Sequence, residues 1–119
     1  MAKILLAEDE SAVSEFVNRA LAHAGHEVVA VPDGLAAVAA LAAGRFDLLL
    51  SDIVMPGLDG IALALKAGKD HPQLKILLMS GYASERQRAH NLEALAHRVV
   101  AKPFTLAEII AAVDETLKD

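Results

Sequence analysis

Five polar side chains stand where apolar runs of this chain give way to turns, and their types fit one chemistry. Glu8 and Asp9 follow "KILLA", Asp52 follows "FDLLLS", Ser80 ends "LKILLMS", and Lys102 follows "RVVA". A turn needs the Pro and Gly of Met55-Pro56-Gly57 and Asp59-Gly60, but it does not need a carboxylate at a strand tip. Three carboxylates brought together raise one another's pKa unless a cation sits among them. Magnesium suits that place, because it takes hard oxygen ligands and keeps several waters. A metal beside a carboxylate, facing an ammonium and a hydroxyl, is an arrangement for phosphoryl transfer. The metal and Lys102 would neutralise phosphoryl oxygens, Ser80 would donate to one, and Asp52 would be the nucleophile.

The intervening segments decide whether these groups meet. "KILLA" is a short apolar run of the kind a sheet buries on both faces, "EVVAV" is β-branched and strand-like, and "FDLLLS", "LKILLMS" and "RVVA" read as the third, fourth and fifth strands. Between them lie helical patterns: Val13, Phe16, Val17, Ala20, Leu21 and Ala24 before Gly25; Leu35 to Ala43 before Gly44; and Ile61 to Lys69, weakened near its end by Gly68. A more polar helix is expected from Ser84 to Ala96. The last, with Ile109, Ile110, Val113 and Leu117 on its apolar face, opens at a Thr105/Glu108 capping box. Five βα repeats imply an α/β fold with a doubly wound parallel sheet. Ligands bind such sheets beyond the carboxyl ends of the strands, so a strand order of 2-1-3-4-5 would gather all five side chains into one pocket.

Bulk properties narrow the function. The 119 residues suffice for one core, so 1–119 reads as a single domain without an output domain. A net charge of -5 argues against direct nucleic-acid binding, and the absence of cysteine excludes disulfides and thiolate-bound zinc. No run approaches membrane-spanning length, and a cytoplasmic location is expected. The five histidines lack ligand spacing; Glu10 and Asp33 read as solvated loop acids, and Asp59 as a turn and helix-start residue.

Taken together, "AEDE", "SDIVMPGLDG", "MSG" and "AKPF", in order and across essentially the whole chain, resemble the CheY-like receiver domain of two-component response regulators. The resemblance implies the flavodoxin-like (βα)5 fold with order 2-1-3-4-5. It implies Asp52 as phosphoacceptor from a histidine kinase or histidine phosphotransferase, and magnesium held by Glu8, Asp9, Asp52 and the Val54 carbonyl. Ser80 and the Gly81 N–H would contact the phosphoryl group, Lys102 would pair with it, and Lys102-Pro103 would be cis. Two positions depart from the family pattern. Val99 stands where many receivers carry a switch aromatic on strand five, so Tyr82, two residues after Ser80, is expected to take that role. Val54 cannot position a water, so a long-lived phosphoaspartate is expected. The resulting charge would redirect a protein-binding surface formed by the 84–96 helix, strand five and the last helix.

Within the family, "ILLAED", "RALAHAGHEV" and "FDLLLSDIVMPGLDGIALALKA" resemble stand-alone regulators of the CpdR type, which act as adaptors for a AAA+ protease; the resemblance fades after Ser80. Receivers within hybrid histidine kinases carry similar "SGYA" and "KPF" segments, so an excised receiver is an alternative. A small aspartate-based phosphohydrolase is another, but it commonly needs a second acid where Val54 stands. A flavodoxin-type carrier would need a phosphate loop where "AEDE" stands. As a receiver, the chain is expected to catalyse only its own phosphorylation and dephosphorylation.

Overall fold

The computed structural model describes residues 2–81 and 98–119. The expected 84–96 helix and Tyr82 lie outside the described residues. Strands β1 (Lys3–Ala7), β2 (Glu27–Val31), β3 (Leu48–Asp52), β4 (Lys75–Ser80) and β5 (Arg98–Ala101) alternate with helices α1 (Ser11–His23), α2 (Gly34–Ala43) and α3 (Gly60–Asp70), and α4 (Leu106–Lys118) follows β5. Every pairing is parallel, in the order β2-β1-β3-β4-β5.

Successive strand side chains point to opposite faces, so each strand feeds two cores. Leu5, Leu49, Ile76 and Leu78 pack with Ala37 and Leu41 of α2 and Leu63, Ala64 and Ala67 of α3. Ile4, Leu6, Leu48, Leu50, Leu77 and Met79 pack on the other face with Val17, Ala20 and Leu21 of α1 and Ile109 and Val113 of α4. The central strand β3 is buried along its whole length.

Polar groups fix the ends of these elements. At the amino edge of the sheet, Asp47 clasps three strands. Its carboxylate accepts from the Lys3 N–H (2.8 Å), its own N–H donates to the Lys3 carbonyl (2.8 Å), and its carbonyl accepts from the Lys75 N–H (3.2 Å). Asp59 caps α3 through the Ala62 N–H at 2.9 Å, as expected. The Thr105/Glu108 capping box is formed, with bonds of 3.1 and 2.8 Å.

Several expectations need correction. Strand β3 starts at Leu48, because just before it the Lys3 N–H goes to the Asp47 side chain and not to a backbone carbonyl, and Asp52 is its last residue. Asp33 is no idle loop acid: it caps α2 through the Ala36 N–H at 2.8 Å. Helix α3 continues past Gly68 to Asp70, helped by the Lys66–Asp70 pair at 3.1 Å. On α4, Ile110 and Leu117 are only half-buried. Thr116 is fully buried because its hydroxyl returns to the Ala112 carbonyl (2.7 Å). Ala24 falls just past α1 and is exposed, and Phe16 on α1 is 41% exposed. Phe16 turns instead to Phe104, with the ring centroids 6.3 Å apart.

Candidate functional site

Register brings the site together. Ala7 lies opposite Ser51, so the next residues, Glu8 and Asp52, are neighbours; Ser80 lies opposite Ala101, which places Lys102 beside them. The Lys102 N–H donates to the Ser80 carbonyl at 2.7 Å, and the Lys102-Pro103 peptide is cis. Below Asp52 the turn is closed by the Ile53 N–H to the Met79 carbonyl (3.0 Å) and the Gly60 N–H to the Ile53 carbonyl (2.8 Å). Met55 is buried and anchors the loop, and Gly57 takes the left-handed conformation that the turn requires (φ 77°). At Gly60, a Cβ would sit 2.0 Å from the Asp52 carbonyl oxygen, so only glycine lets α3 begin against the end of β3.

The Lys102 ammonium lies 2.9 Å from Glu8 Oε1 and 3.1 Å from Asp52 Oδ2. The other Glu8 oxygen accepts from the Glu10 N–H at 3.1 Å. Glu8, Asp9 and Asp52 each offer an oxygen within 4.8 Å of the others. Glu8 and Asp52 are buried, whereas Asp9 is exposed at the mouth. Three carboxylates against one ammonium leave two negative charges uncompensated, which is what one divalent cation supplies. Hard oxygen donors with one solvent-facing ligand suit magnesium.

Burial raises the pKa of Glu8, and the charge of Asp52 adds to it; the Glu10 N–H and Lys102 oppose the rise without cancelling it. Burial also raises that of Asp52, outweighing Lys102. Desolvation thus exceeds the mutual repulsion expected from the sequence. Lys102 moves the other way: burial disfavours its ammonium, but the hydrogen bond to Glu8 and the charges of Asp52 and Glu8 win, and its pKa rises.

Above this cluster opens a cleft of about 730 Å³ lined by Asp9, Asp52, Gly81, Lys102 and Val54, the last 55% exposed. Ser80 is fully buried at the end of β4. One wall is apolar: Val13 and Phe16 of α1 meet Phe104, with the two rings 6.3 Å apart and tilted by 30°. The sequence reading missed that wall. Its one signal is an aromatic in the first turns of a helix that starts next to the acidic tip.

The family profile described as "Response regulator receiver domain" matches residues 4–114. The chain is 37% identical over 117 residues to the response regulator receiver protein CpdR of Brucella abortus, covering 98% of each chain. It is 38% identical over 120 residues to the sensor kinase CckA of the same organism, covering 98% of this chain and 13% of that one. Among solved structures, the response regulator protein TrrA of Thermotoga maritima, in complex with Mg(2+)-BeF, superposes with a TM-score of 0.89. That alignment has 28% identity and covers 98% of this chain and 99% of TrrA.

Proposed function

The chain belongs to the response regulator receiver family, and from that premise we propose that Asp52 accepts a phosphoryl group and that the added charge redirects a protein contact. The observation that carries this reading is the Lys102 ammonium shared between Glu8 and Asp52, with three carboxylates converging at adjacent strand tips.

A carboxylate oxygen of Asp52 attacks the phosphorus of a phosphohistidine. The P–N bond breaks, its electron pair returns to the imidazole nitrogen, which is protonated by solvent, and a mixed anhydride forms. Glu8, Asp9, Asp52 and the Val54 carbonyl would hold magnesium, which would supply charge neutralisation when bound; the Mg(2+)-BeF complex of TrrA supports this choice. Lys102, already beside Asp52, pairs with a phosphoryl oxygen. The Ser80 hydroxyl and the Gly81 N–H donate to others, and Tyr82 follows Ser80. Beyond this self-phosphorylation and its reversal the domain turns over no substrate.

The phosphoryl donor is a histidine kinase or a histidine phosphotransferase. The downstream partner is a protein, with a AAA+ protease favoured by the likeness to CpdR over almost its whole length. Residues 1–119 act as one receiver unit in the cytoplasm; among the described residues no helix is long and apolar enough to cross a membrane. The likeness to a small part of CckA supports a second reading, a receiver belonging to a hybrid kinase.

The test is incubation with acetyl phosphate and magnesium, followed by intact mass over time for wild type and Asp52→Asn. One phosphoryl adduct is expected that requires both magnesium and Asp52 and decays slowly, because exposed Val54 cannot orient a water. No adduct on the folded wild type would end this reading.

A further inference from the structure

Ser51 is a hydroxyl between the three leucines of β3 and Asp52, with no exposed surface. Burying a hydroxyl costs free energy unless it is hydrogen-bonded, and alanine or valine would serve burial alone. Its Oγ donates to the Asp52 carbonyl at 2.9 Å. That carbonyl lies at a weak place in the sheet. The β1–β3 ladder ends at the Ala7–Ser51 pair, one residue short of Asp52, and among the described residues the donor on the Asp52 carbonyl is this hydroxyl. Gly60 packs against the same oxygen, and the Ile53 N–H on the far side of the peptide is held by the Met79 carbonyl.

We propose that Ser51 is a positioning residue for the acceptor: its hydroxyl locks the Asp52–Ile53 peptide where the ladder stops, and so aims the Asp52 carboxylate. The proposal rests on Asp52 being the phosphoacceptor. A loose peptide would swing the Cα–Cβ bond of Asp52, and transfer rates fall steeply when reacting atoms stray from an attack distance of about 3–3.5 Å. The hydroxyl touches neither phosphorus nor metal, so it acts only through Asp52.

The experiment compares phosphorylation rate constants with acetyl phosphate and saturating magnesium for wild type, Ser51→Ala and Ser51→Thr. The carbonyl-carbon resonance of Asp52 is followed in parallel. Ser51→Ala is expected to react about three- to tenfold more slowly, the scale of one lost hydrogen bond, and to shift that resonance. Ser51→Thr, which keeps the hydroxyl, is expected within about twofold of wild type on the same scale. If Ser51→Ala does not fold, Ser51→Cys, of similar size but a weak donor, takes its place. An alanine variant with the shifted resonance but an unchanged rate overturns the proposal, as do alanine and threonine variants that are equally slow. A wild type that gains no Asp52-dependent adduct overturns the phosphoacceptor reading instead.

Discussion

Asp52 and Glu8 hold charges that their surroundings disfavour. Because burial raises both pKa values, the folded state keeps these protons to a higher pH than the unfolded chain does. Between the ordinary carboxylate value and the raised one the fold therefore binds more protons, so metal-free stability falls as pH rises through that window. Asp52→Asn removes one such charge and leaves Lys102 its bond to Glu8. The metal-free variant is expected to unfold at a higher urea concentration than wild type at neutral pH, and its midpoint should depend less on pH. A midpoint below that of wild type would mean that the pair with Lys102 outweighs burial. At this scale the sequence was readable where type and position coincide: acids and a lysine just past apolar runs leave few alternatives. Ser51 was not, because one hydroxyl among leucines has no meaning until the end of the ladder is located. Asp33 was misread because a cap and a solvated acid look alike in a Pro-Asp-Gly turn.

Helix α3 and strand β3 touch through a glycine, and that contact sets the geometry of the acceptor loop. Gly60→Ala would drive a methyl into the Asp52 carbonyl. It is expected to cost at least about 1–3 kcal/mol by overpacking, and to slow phosphorylation more than it lowers stability, since the displaced atom belongs to the acceptor. Urea unfolding and the acetyl phosphate reaction check the two effects separately; normal values of both would show that α3 can slide away freely. The elements themselves were legible. Strands buried on both faces read as continuous apolar runs, and the capping box at Thr105 and Glu108 names its own helix start. The exposed Phe16 was not legible, because periodicity shows which face of a helix is apolar but not which distant side chain, here Phe104, an apolar residue meets.

For the molecule as a whole, the site gathers uncompensated negative charge at one end of an already acidic chain of net charge -5. A phosphoryl group adds about -1.5 to -2 more. Magnesium binding opposes that build-up and competes with protons on Glu8 and Asp52. Affinity for magnesium is therefore expected to weaken as pH falls toward the ordinary carboxylate range, beginning above it. Each tenfold excess of magnesium over its Kd should add about 1.4 kcal/mol to stability. Calorimetric titration across that range checks it, and a pH-independent affinity would place the cation away from these two acids.

Asp47 gives this architecture a direction. With Lys3 and Lys75 tied to one residue at the amino edge, β1, β3 and β4 are gripped far from the acids, while at the chemical end Lys102 bridges Glu8 and Asp52. Such a sheet behaves like a hand fan riveted at its base. The rivet keeps the leaves from sliding along one another, so the alignment that sets the acids side by side is held from the opposite end.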